Sequence, residues 1–280
     1  MKLVYKFNIQ AITPAYHANV YVDAHSGKIM LENSKIHNCL SDIHDISIGN
    51  SNKTISNQAQ NKTTTLPFIS GQGKTWYRGL QPIESSLNDD GKHILDDQNR
   101  KIRTKKDGGA DYTSDTKDWF LNASNTDTNR SALDAHWGAG KVYDYYNTNH
   151  NWLGYSNNRV TPIPINILIS DGFDAHWNDS HIKLGKTGFF PDTPQPMAAL
   201  DIVGHEVTHG VIANSAGLNY DLFKESGAIN EGIADIFGAL VEHEYFPNSP
   251  YWVSGDVIGA GRFFGLRNLE SPKTRGFLRP

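Results

Sequence analysis

Asp201-Ile202-Val203-Gly204-His205-Glu206-Val207-Thr208-His209 is the stretch to which the other features of this sequence can be related. His205 and His209 are four residues apart, so on an α-helix they lie on one face, one turn from each other. Both imidazoles can therefore reach one tetrahedral metal ion. Glu206 lies about 100° round the helix from His205, where it can hold a water molecule beside the metal and accept its proton. The spacing predicts a helix with two metal ligands and a general base.

The pattern H-E-x-x-H is typical of zinc hydrolases, but it is short. Taken alone, it also fits an amphipathic core helix that happens to carry two histidines. A catalytic zinc ion has three protein ligands, so one more donor is required. Ile212 and Ser215 stand where the metzincin subclass has a glycine and a third histidine, which excludes that subclass. A carboxylate from a second helix is the remaining common solution.

A second helix with suitable carboxylates is predicted at residues 226–238. Glu231 and Asp235 are one turn apart on it. Large apolar residues flank both acids, namely Ile229, Ile233, Ile236 and Phe237. This pattern predicts a buried helix with both acids on its inward side, and buried carboxylates need a metal or a hydrogen-bonding partner.

The two helices and residues 214–220 between them resemble the active-site core of the thermolysin family of secreted zinc endopeptidases. The resemblance implies an α+β, zincin-like fold, in which an antiparallel β-sheet region packs on the helices that carry the zinc site. It implies that the zinc ligands are His205, His209 and Glu231, and that Glu206 is the general base.

Further roles follow from the same resemblance. Asp235 and Asn230 would orient His205 and His209 through their second ring nitrogens, as metal-bound imidazoles require. Tyr220 corresponds to a tyrosine that donates a hydrogen bond to the oxyanion. Arg267 corresponds to an arginine that binds the substrate carbonyl on the leaving side.

The resemblance also predicts how substrate binds. Residues 172–178 correspond to an edge strand that pairs with an extended peptide, and its substrate-binding residues would be Asp174, Ala175 and Trp177. Asp174 stands where the family usually has asparagine, and a carboxylate accepts hydrogen bonds but donates none. The pocket for the residue after the scissile bond would include Ile202 and Leu266, which predicts a preference for large apolar side chains.

A calcium site is implied at Asp201, Glu242 and Asp256, which resemble part of the family's calcium ligands. Tyr251 and Val253 stand where calcium-binding relatives carry acids. We therefore expect a single, weaker calcium ion rather than a double site.

The domain organisation is predicted from composition and resemblance. Residues 1–65 would be the end of a propeptide and a polar linker, because residues 21–29 resemble a propeptide end and residues 36–65 are rich in Ser, Asn, Thr, Lys and Gln. The propeptide would act as an intramolecular inhibitor. The alternative is that the first strands belong to the catalytic sheet. Residues 66–200 would be the β-rich part of the catalytic domain, and residues 201–280 the zinc-site helices with the start of a helical domain.

Within the β-rich part, residues 75–79 and 93–97 are predicted to be short strands, with a hairpin turn at residues 89–91. Residues 131–146 have helical spacing. His136, within this helix, is expected to be a hydrogen-bonded core residue rather than a metal ligand.

Composition excludes two classes of partner. A net charge of -4 over 280 residues gives no basic surface for nucleic acid. No apolar run approaches about 18 residues, so no membrane span is predicted. Cys39 is the only cysteine, which excludes an internal disulfide. Polar loops suit a secreted protein, and we expect an upstream stretch to have carried the signal peptide.

The sequence therefore predicts a zinc-dependent endopeptidase that acts on proteins or peptides. Because the chain ends at Pro280, before a histidine expected in the family's helical domain, we expect a partial proenzyme that is weak or inactive alone. Two alternatives stay open: a catalytically inactive zinc-binding homologue or fragment that acts as a binding module, and a structural metal protein. Glu206 argues against the latter, since a closed structural site needs no base.

Overall fold

The computed structural model describes residues 4–11, 16–34, 37–38, 69–119, 127–158, 163–187, 194–218, 225–249, 253–258 and 266–270. Their helices are α1 (Asp127–His150), α2 (Leu200–Ser215) and α3 (Glu225–Tyr245). The first strands are β1 (Val4–Ala11), β2 (Tyr16–Asp23), β3 (Ile29–Ser34), β4 (His37–Asn38), β5 (Ile69–Lys74), β6 (Leu80–Leu87), β7 (His93–Ile94) and β8 (Asp96–Asp97). The later strands are β9 (Ile102–Lys106), β10 (Thr113–Ser114), β11 (Ile165–Phe173), β12 (Ala175–Asn178), β13 (His181–Lys186), β14 (Val253–Ser254) and β15 (Arg267–Asn268). This mixture of segregated sheets and helices confirms the α+β class.

The N-terminal strands form a sheet of their own. β1, β2 and β3 pair antiparallel in that order. Asp23 ends β2, because its carboxylate accepts the backbone N–H groups of His25 at 3.0 Å and Ser26 at 2.8 Å. Within the described residues, these three strands pair with one another and not with a strand of the other sheets. They therefore do not extend a neighbouring sheet, as the alternative interpretation would require. The domain boundaries at residues 65 and 200 stay predictions.

A second antiparallel sheet has the order β10-β7-β6-β5. The expected turn at residues 89–91 connects β6 with β7, and Gly91 has a φ of 73° there. Left-handed backbone of this kind favours glycine.

The prediction of a strand at residues 75–79 is wrong, because this segment is the loop between β5 and β6. Its residues have high strand propensity, but α1 binds their backbone groups. The carboxylate of Asp134 accepts the N–H of Tyr77 at 3.2 Å, and Arg130 donates to the carbonyl of Thr75 at 3.0 Å. Tertiary hydrogen bonds therefore override the local preference.

The largest sheet has the order β4-β12-β13-β11-β9-β8. β11 runs parallel to both β9 and β13, whereas the other pairs are antiparallel. The sheet is therefore mixed, although the resemblance led us to expect an antiparallel region. A parallel pair needs a long crossover connection, and the segment that contains α1 supplies it between β9 and β11.

Helix α1 packs against β5, β6, β9, β11 and α2 and so lies at the centre of the core. His136 on this helix is 3% exposed. Its Nε2 donates to the carbonyl of Glu84 at 2.9 Å, and its Nδ1 accepts from the hydroxyl of Thr104 at 3.0 Å. The prediction of a hydrogen-bonded core histidine is confirmed.

Helix α2 is buried from Leu200 to Ile212, and its buried residues include both apolar and ionisable side chains. It crosses α3 very closely at Gly204 and Gly238. A Cβ atom on Gly238 would lie only 2.4 Å from the carbonyl oxygen of Asp201. Two glycines thus set the distance between the helices that carry the predicted metal ligands.

Helix α3 is less enclosed than predicted. Ile229 and Ile236 are 43% and 44% exposed. The face that packs on α2 consists of smaller and polar residues, among them Gly227, Asn230, Ala234, Asp235, Gly238 and Ala239. Asp235 is indeed on the inward side, but the isoleucines do not bury it. Within the described residues, every helix is too short or too polar to cross a bilayer.

Candidate active site

Three side chains from α2 and α3 converge on one point. Nε2 of His205 lies 3.0 Å from Nε2 of His209 and 3.2 Å from Oε2 of Glu231. Nε2 of His209 lies 3.5 Å from Oε1 of Glu231. Both imidazoles are buried, and Glu231 is partly buried. These residues form a metal-binding group.

The spacing of the three donors fits zinc. At a zinc-to-ligand distance of about 2.05 Å and a tetrahedral angle, two ligand atoms are about 3.3 Å apart. The two Nε2 atoms are 3.0 Å apart, and they lie 3.2 and 3.5 Å from the two different carboxylate oxygens of Glu231, which are values on both sides of that distance. A cation among the donors would also offset the repulsion between the facing lone pairs of two neutral imidazoles.

The other nitrogen of each ring is held by an oxygen acceptor. Nδ1 of His205 lies 2.8 Å from Oδ1 of Asp235, and Nδ1 of His209 lies 2.7 Å from Oδ1 of Asn230. Because a carboxylate can only accept, Nδ1 of His205 donates, and its Nε2 lone pair points to the metal-binding group. The contacts predicted for Asp235 and Asn230 are therefore present.

The protonation of the site suits metal binding. Burial, together with the nearby His205, lowers the pKa of His209 to about 4, so its ring is neutral at neutral pH. Neutral imidazole is the form that binds metals.

Arg267, on β15, pairs with the carboxylate that orients His205. Its Nε donates to Oδ2 of Asp235 at 2.8 Å, and a terminal nitrogen donates to Oδ1. Burial alone would raise the pKa of Asp235, but Arg267 and His205 hold it well below its usual range. The structure thus places Arg267 beside the metal ligands through Asp235, and its contact with substrate stays a prediction.

Of the predicted catalytic residues Glu206 and Tyr220, the structure describes only Glu206. Glu206 follows His205 on α2 and is completely buried. Tyr220 lies outside the described residues, so its role at the oxyanion stays a prediction.

Residues 172–178, predicted as one substrate-binding strand, are divided in the structure, because residues 172 and 173 end β11 and residues 175–178 form β12. Asp174 has a φ of 89°, an unusual conformation for a residue other than glycine, and its Oδ1 accepts the N–H of Ala175 at 2.8 Å. Burial raises the pKa of Asp174 to about 7. Ala175 and Trp177 are buried, and the Trp177 ring packs edge-on against Tyr155 with centroids 4.8 Å apart.

The outer side of β12 carries a short strand from the predicted propeptide region. In β4, Asn38 lies opposite His176 and His37 lies opposite Trp177, in antiparallel register. β12 is therefore not the edge strand that we predicted.

The predicted pocket residues are both near the core. Ile202 is fully buried in α2, and Leu266 packs against the core close to Gly255. Their contact with a substrate side chain stays a prediction.

The three acids of the predicted calcium site do gather, but with a cation among them. Arg78 forms an ion pair with Glu242. The carboxylate of Asp201 accepts the backbone N–H groups of Gly255 and Ile202. Burial and the charges of Asp201 and Asp256 raise the pKa of Glu242, and its ion pair with Arg78 opposes that shift. Sequence reasoning missed Arg78, which is 164 residues from Glu242 along the chain and belongs to no local motif.

Comparison with known proteins agrees with this geometry. The family model described as the thermolysin metallopeptidase catalytic domain matches residues 70–213. The chain belongs to the thermolysin family of metallopeptidases. A second model, the thermolysin metallopeptidase alpha-helical domain, matches residues 216–278.

The thermolysin-family relatives include bacillolysin of Bacillus caldolyticus and thermolysin of Alicyclobacillus acidocaldarius subsp. acidocaldarius. Each is 29% identical over 98% of this chain and 48% of its own length. The chain thus spans about half the length of these curated relatives. Among solved structures, the precursor of protealysin, a metalloproteinase from Serratia proteamaculans, aligns with a TM-score of 0.49 and 21% identity over 78% of this chain and 59% of its own.

The second family match corrects one expectation. We expected the chain to end before the family's helical domain, yet the model of that domain matches from residue 216 and includes the whole of α3. Helix α3 looks from sequence like a continuation of the catalytic domain, because it supplies Glu231 to the ligands on α2. The missing-domain interpretation is not supported.

Proposed function

We propose that this protein is a zinc-dependent endopeptidase of the thermolysin type. The observation that carries the proposal is the convergence of His205, His209 and Glu231. The two Nε2 atoms are 3.0 Å apart and lie 3.2 and 3.5 Å from the carboxylate oxygens of Glu231, which fits tetrahedral zinc ligands. The oriented Nδ1 atoms support it, since metal-bound imidazoles have such acceptors.

Zinc, when bound, would polarise the scissile carbonyl and make water more acidic. Glu206 would accept the proton of the attacking water and later pass it to the departing amine. The complete burial of Glu206 excludes bulk water, which strengthens its electrostatic interactions with the reacting groups. Asp235, kept ionised by Arg267, would fix the ring of His205.

Tyr220 would donate a hydrogen bond to the oxyanion that develops on the scissile carbonyl. Arg267 would bind the substrate carbonyl on the leaving side. Support for Arg267 is its place one hydrogen bond from Asp235, itself bound to a metal ligand. Support for Tyr220 is its position in the sequence between α2 and α3.

The substrate would be a protein or peptide bound as an extended strand along β12, cut before a large apolar residue. Asp174, Ala175 and Trp177 would contact its backbone, and Ile202 with Leu266 would line the apolar pocket. Support for the extended binding mode is the antiparallel pairing of β4 with β12, which is the kind of strand addition that a bound peptide would make.

That pairing also supports a zymogen. The segment that contains β4 would be the propeptide, and it would inhibit by occupying the strand position that substrate needs. Replacing His37 and Asn38 together with proline removes two backbone donors, so we expect higher peptidase activity. The paired control is proline at two exposed loop positions, Asp89 and Asp90; equal activity in both variants would contradict inhibition through β4.

Secretion completes the proposal, and its support is the polar composition of the chain. The calcium ion expected at Asp201, Glu242 and Asp256 is not part of it, because Arg78 already supplies positive charge to those acids.

The test of the activity is Glu206→Gln. Because the base and the metal ligands are different residues, we expect peptide hydrolysis to fall by about 100- to 10,000-fold while one zinc ion per chain stays bound. The binding-module alternative predicts instead that neither protein hydrolyses an apolar-directed peptide. Zinc content by elemental analysis and hydrolysis of a fluorogenic peptide separate the two.

A further inference from the structure

The acidic cluster formed by Asp201, Glu242 and Asp256 lies where α2, α3 and the segment after β14 meet. Asp201 and Glu242 are 2% and 1% exposed. Carboxylates buried together need compensating positive charge or hydrogen bonds. What supplies it determines how this part of the molecule is stabilised.

Two of the three carboxylates are already engaged. Asp201 accepts two backbone N–H groups, one through each oxygen. Glu242 binds the guanidinium of Arg78 through Oε1. A calcium ion takes six to eight oxygen ligands at about 2.3–2.6 Å, and an ion bound to Glu242 would compete with the guanidinium for Oε1.

Arg78 is fixed in place rather than drawn in from solvent. Its side chain is 12% exposed, and its guanidinium stacks over Phe246 with 3.9 Å between its central carbon and the ring centroid. An aromatic face and a carboxylate are the surroundings in which a buried arginine is most stable.

The loop that presents Arg78 is held at both ends. The backbone N–H of Arg78 donates to the hydroxyl of Thr75 at 3.1 Å, and the carbonyl of Arg78 accepts from the side-chain amide of Gln81 at 2.7 Å. The hydroxyl of Tyr77 donates to the carbonyl of Pro196, just before α2. These hydrogen bonds fix the backbone of the loop, so the guanidinium can leave the cluster only if the side chain gives up its contacts with Glu242 and Phe246.

We infer that Arg78 is the resident cation of this cluster and takes the place of calcium. The same guanidinium would then join the β5–β6 loop to α3, next to the helices that carry the zinc ligands. A dication beside Glu242 would have to displace it, since two cations on one buried carboxylate repel each other.

The experiment compares thermal unfolding midpoints with and without about 10 mM calcium, enough to saturate even a site with a Kd of about 1 mM. All proteins carry Glu206→Gln to prevent self-cleavage. They are first freed of metal on a chelating resin and then reloaded with one equivalent of zinc in calcium-free buffer. We expect no change on adding calcium to the parent protein. In Arg78→Met the midpoint should fall, and calcium should raise it by about 3–6 °C, because the acids are then open to the ion.

Arg130→Gln is the matched control. Arg130 stacks over Trp76 and binds the carbonyl of Thr75. Its loss should therefore loosen the same loop but leave the guanidinium of Arg78 beside Glu242. Its midpoint should fall without a calcium response. A response equal to that of Arg78→Met would mean that loop mobility, not the guanidinium, controls calcium entry, and would overturn the inference.

Calorimetric titration of the parent protein with calcium gives an independent result, which holds even where Arg78→Met does not fold. We expect the parent protein and Glu242→Gln to give the same titration, without stoichiometric calcium binding at Glu242. Stoichiometric binding that disappears in Glu242→Gln would overturn the inference, and so would a folded Arg78→Met protein whose midpoint ignores calcium.

Discussion

Gly238→Ala should separate α3 from α2 and so disturb the metal ligands. The added Cβ would lie 2.4 Å from the carbonyl oxygen of Asp201 and 3.2 Å from the backbone nitrogen of His205, whereas ordinary contact begins at 3.4 Å. Both neighbours are backbone atoms of a buried helix and cannot rotate away. The helices must therefore move apart by 3.4 − 2.4 = 1.0 Å at this crossing.

The size of the effect can be worked out from two opposing terms. Overpacking of this kind costs about 1–3 kcal/mol, and replacing glycine with alanine inside a helix returns about 1 kcal/mol. We expect a net loss of up to about 2 kcal/mol in the free energy of unfolding. Glu231 lies seven residues before Gly238, on nearly the same face of α3, so it moves with the crossing. A ligand displaced by this much should weaken zinc binding by about 10- to 100-fold.

The assay is zinc affinity, measured by competition with a chromophoric chelator, together with urea unfolding of the zinc-free proteins. Gly232→Ala is the matched control on the same helix, because a Cβ there meets nothing within 4 Å among the described residues. It should gain up to about 1 kcal/mol from helix propensity and keep its zinc affinity. Equal zinc affinities in the two variants would refute the idea that the glycine crossing positions Glu231.

The remaining predictions concern the ligands and the response to acid. Glu231→Ala should abolish stoichiometric zinc binding, seen by elemental analysis after dialysis, and retained zinc would sink the assignment of that ligand. Asp235→Ala should weaken zinc binding by about 10- to 100-fold, and Asp235→Asn by less, because the amide oxygen still accepts from His205; equal losses would show that only charge matters. Burial and the charges of Lys183 and His181 lower the pKa of His176 to about 4 from 6.5 when unfolded, and Asp107 opposes the shift. A depressed pKa gives stability that is complete above pH 6.5 and is lost as the pH falls toward 4. Zinc-free protein should therefore lose about 1–2 kcal/mol more than His176→Gln between pH 7 and 5, and parallel urea midpoints would contradict this.

The sequence was sufficient for the features that depend on local spacing. His205, Glu206 and His209 lie within one helical turn and a half, so their relation needs only helix geometry. Asp235 and Asn230 were paired with the ligand rings through the resemblance to the thermolysin family, not through spacing, and the structure has both contacts.

Features that depend on distant segments could not be predicted. The segment at residues 75–79 has the composition of a strand, and only its bonds to Asp134 and Arg130 on α1 make it a loop. The exposure of Ile229 and Ile236 depends on what surrounds α3, which helical periodicity does not specify. The partner of Arg78 is Glu242, which lies 164 residues further along the chain. No pattern in either segment points to the other.

The pairing of β4 with β12 has a consequence for how the proposed zymogen would be activated. A two-residue strand binds its neighbour weakly, but attachment through the chain between Asn38 and Ile69 keeps it at an effective concentration of about a millimolar. A single cut in that chain would reduce the local concentration to that of the protein in solution, typically a thousand-fold lower or more. Weak pairing is then an advantage, because an inhibitor that bound tightly on its own would stay in place after the cut. Activation would be switch-like and irreversible without any change in the zinc site itself.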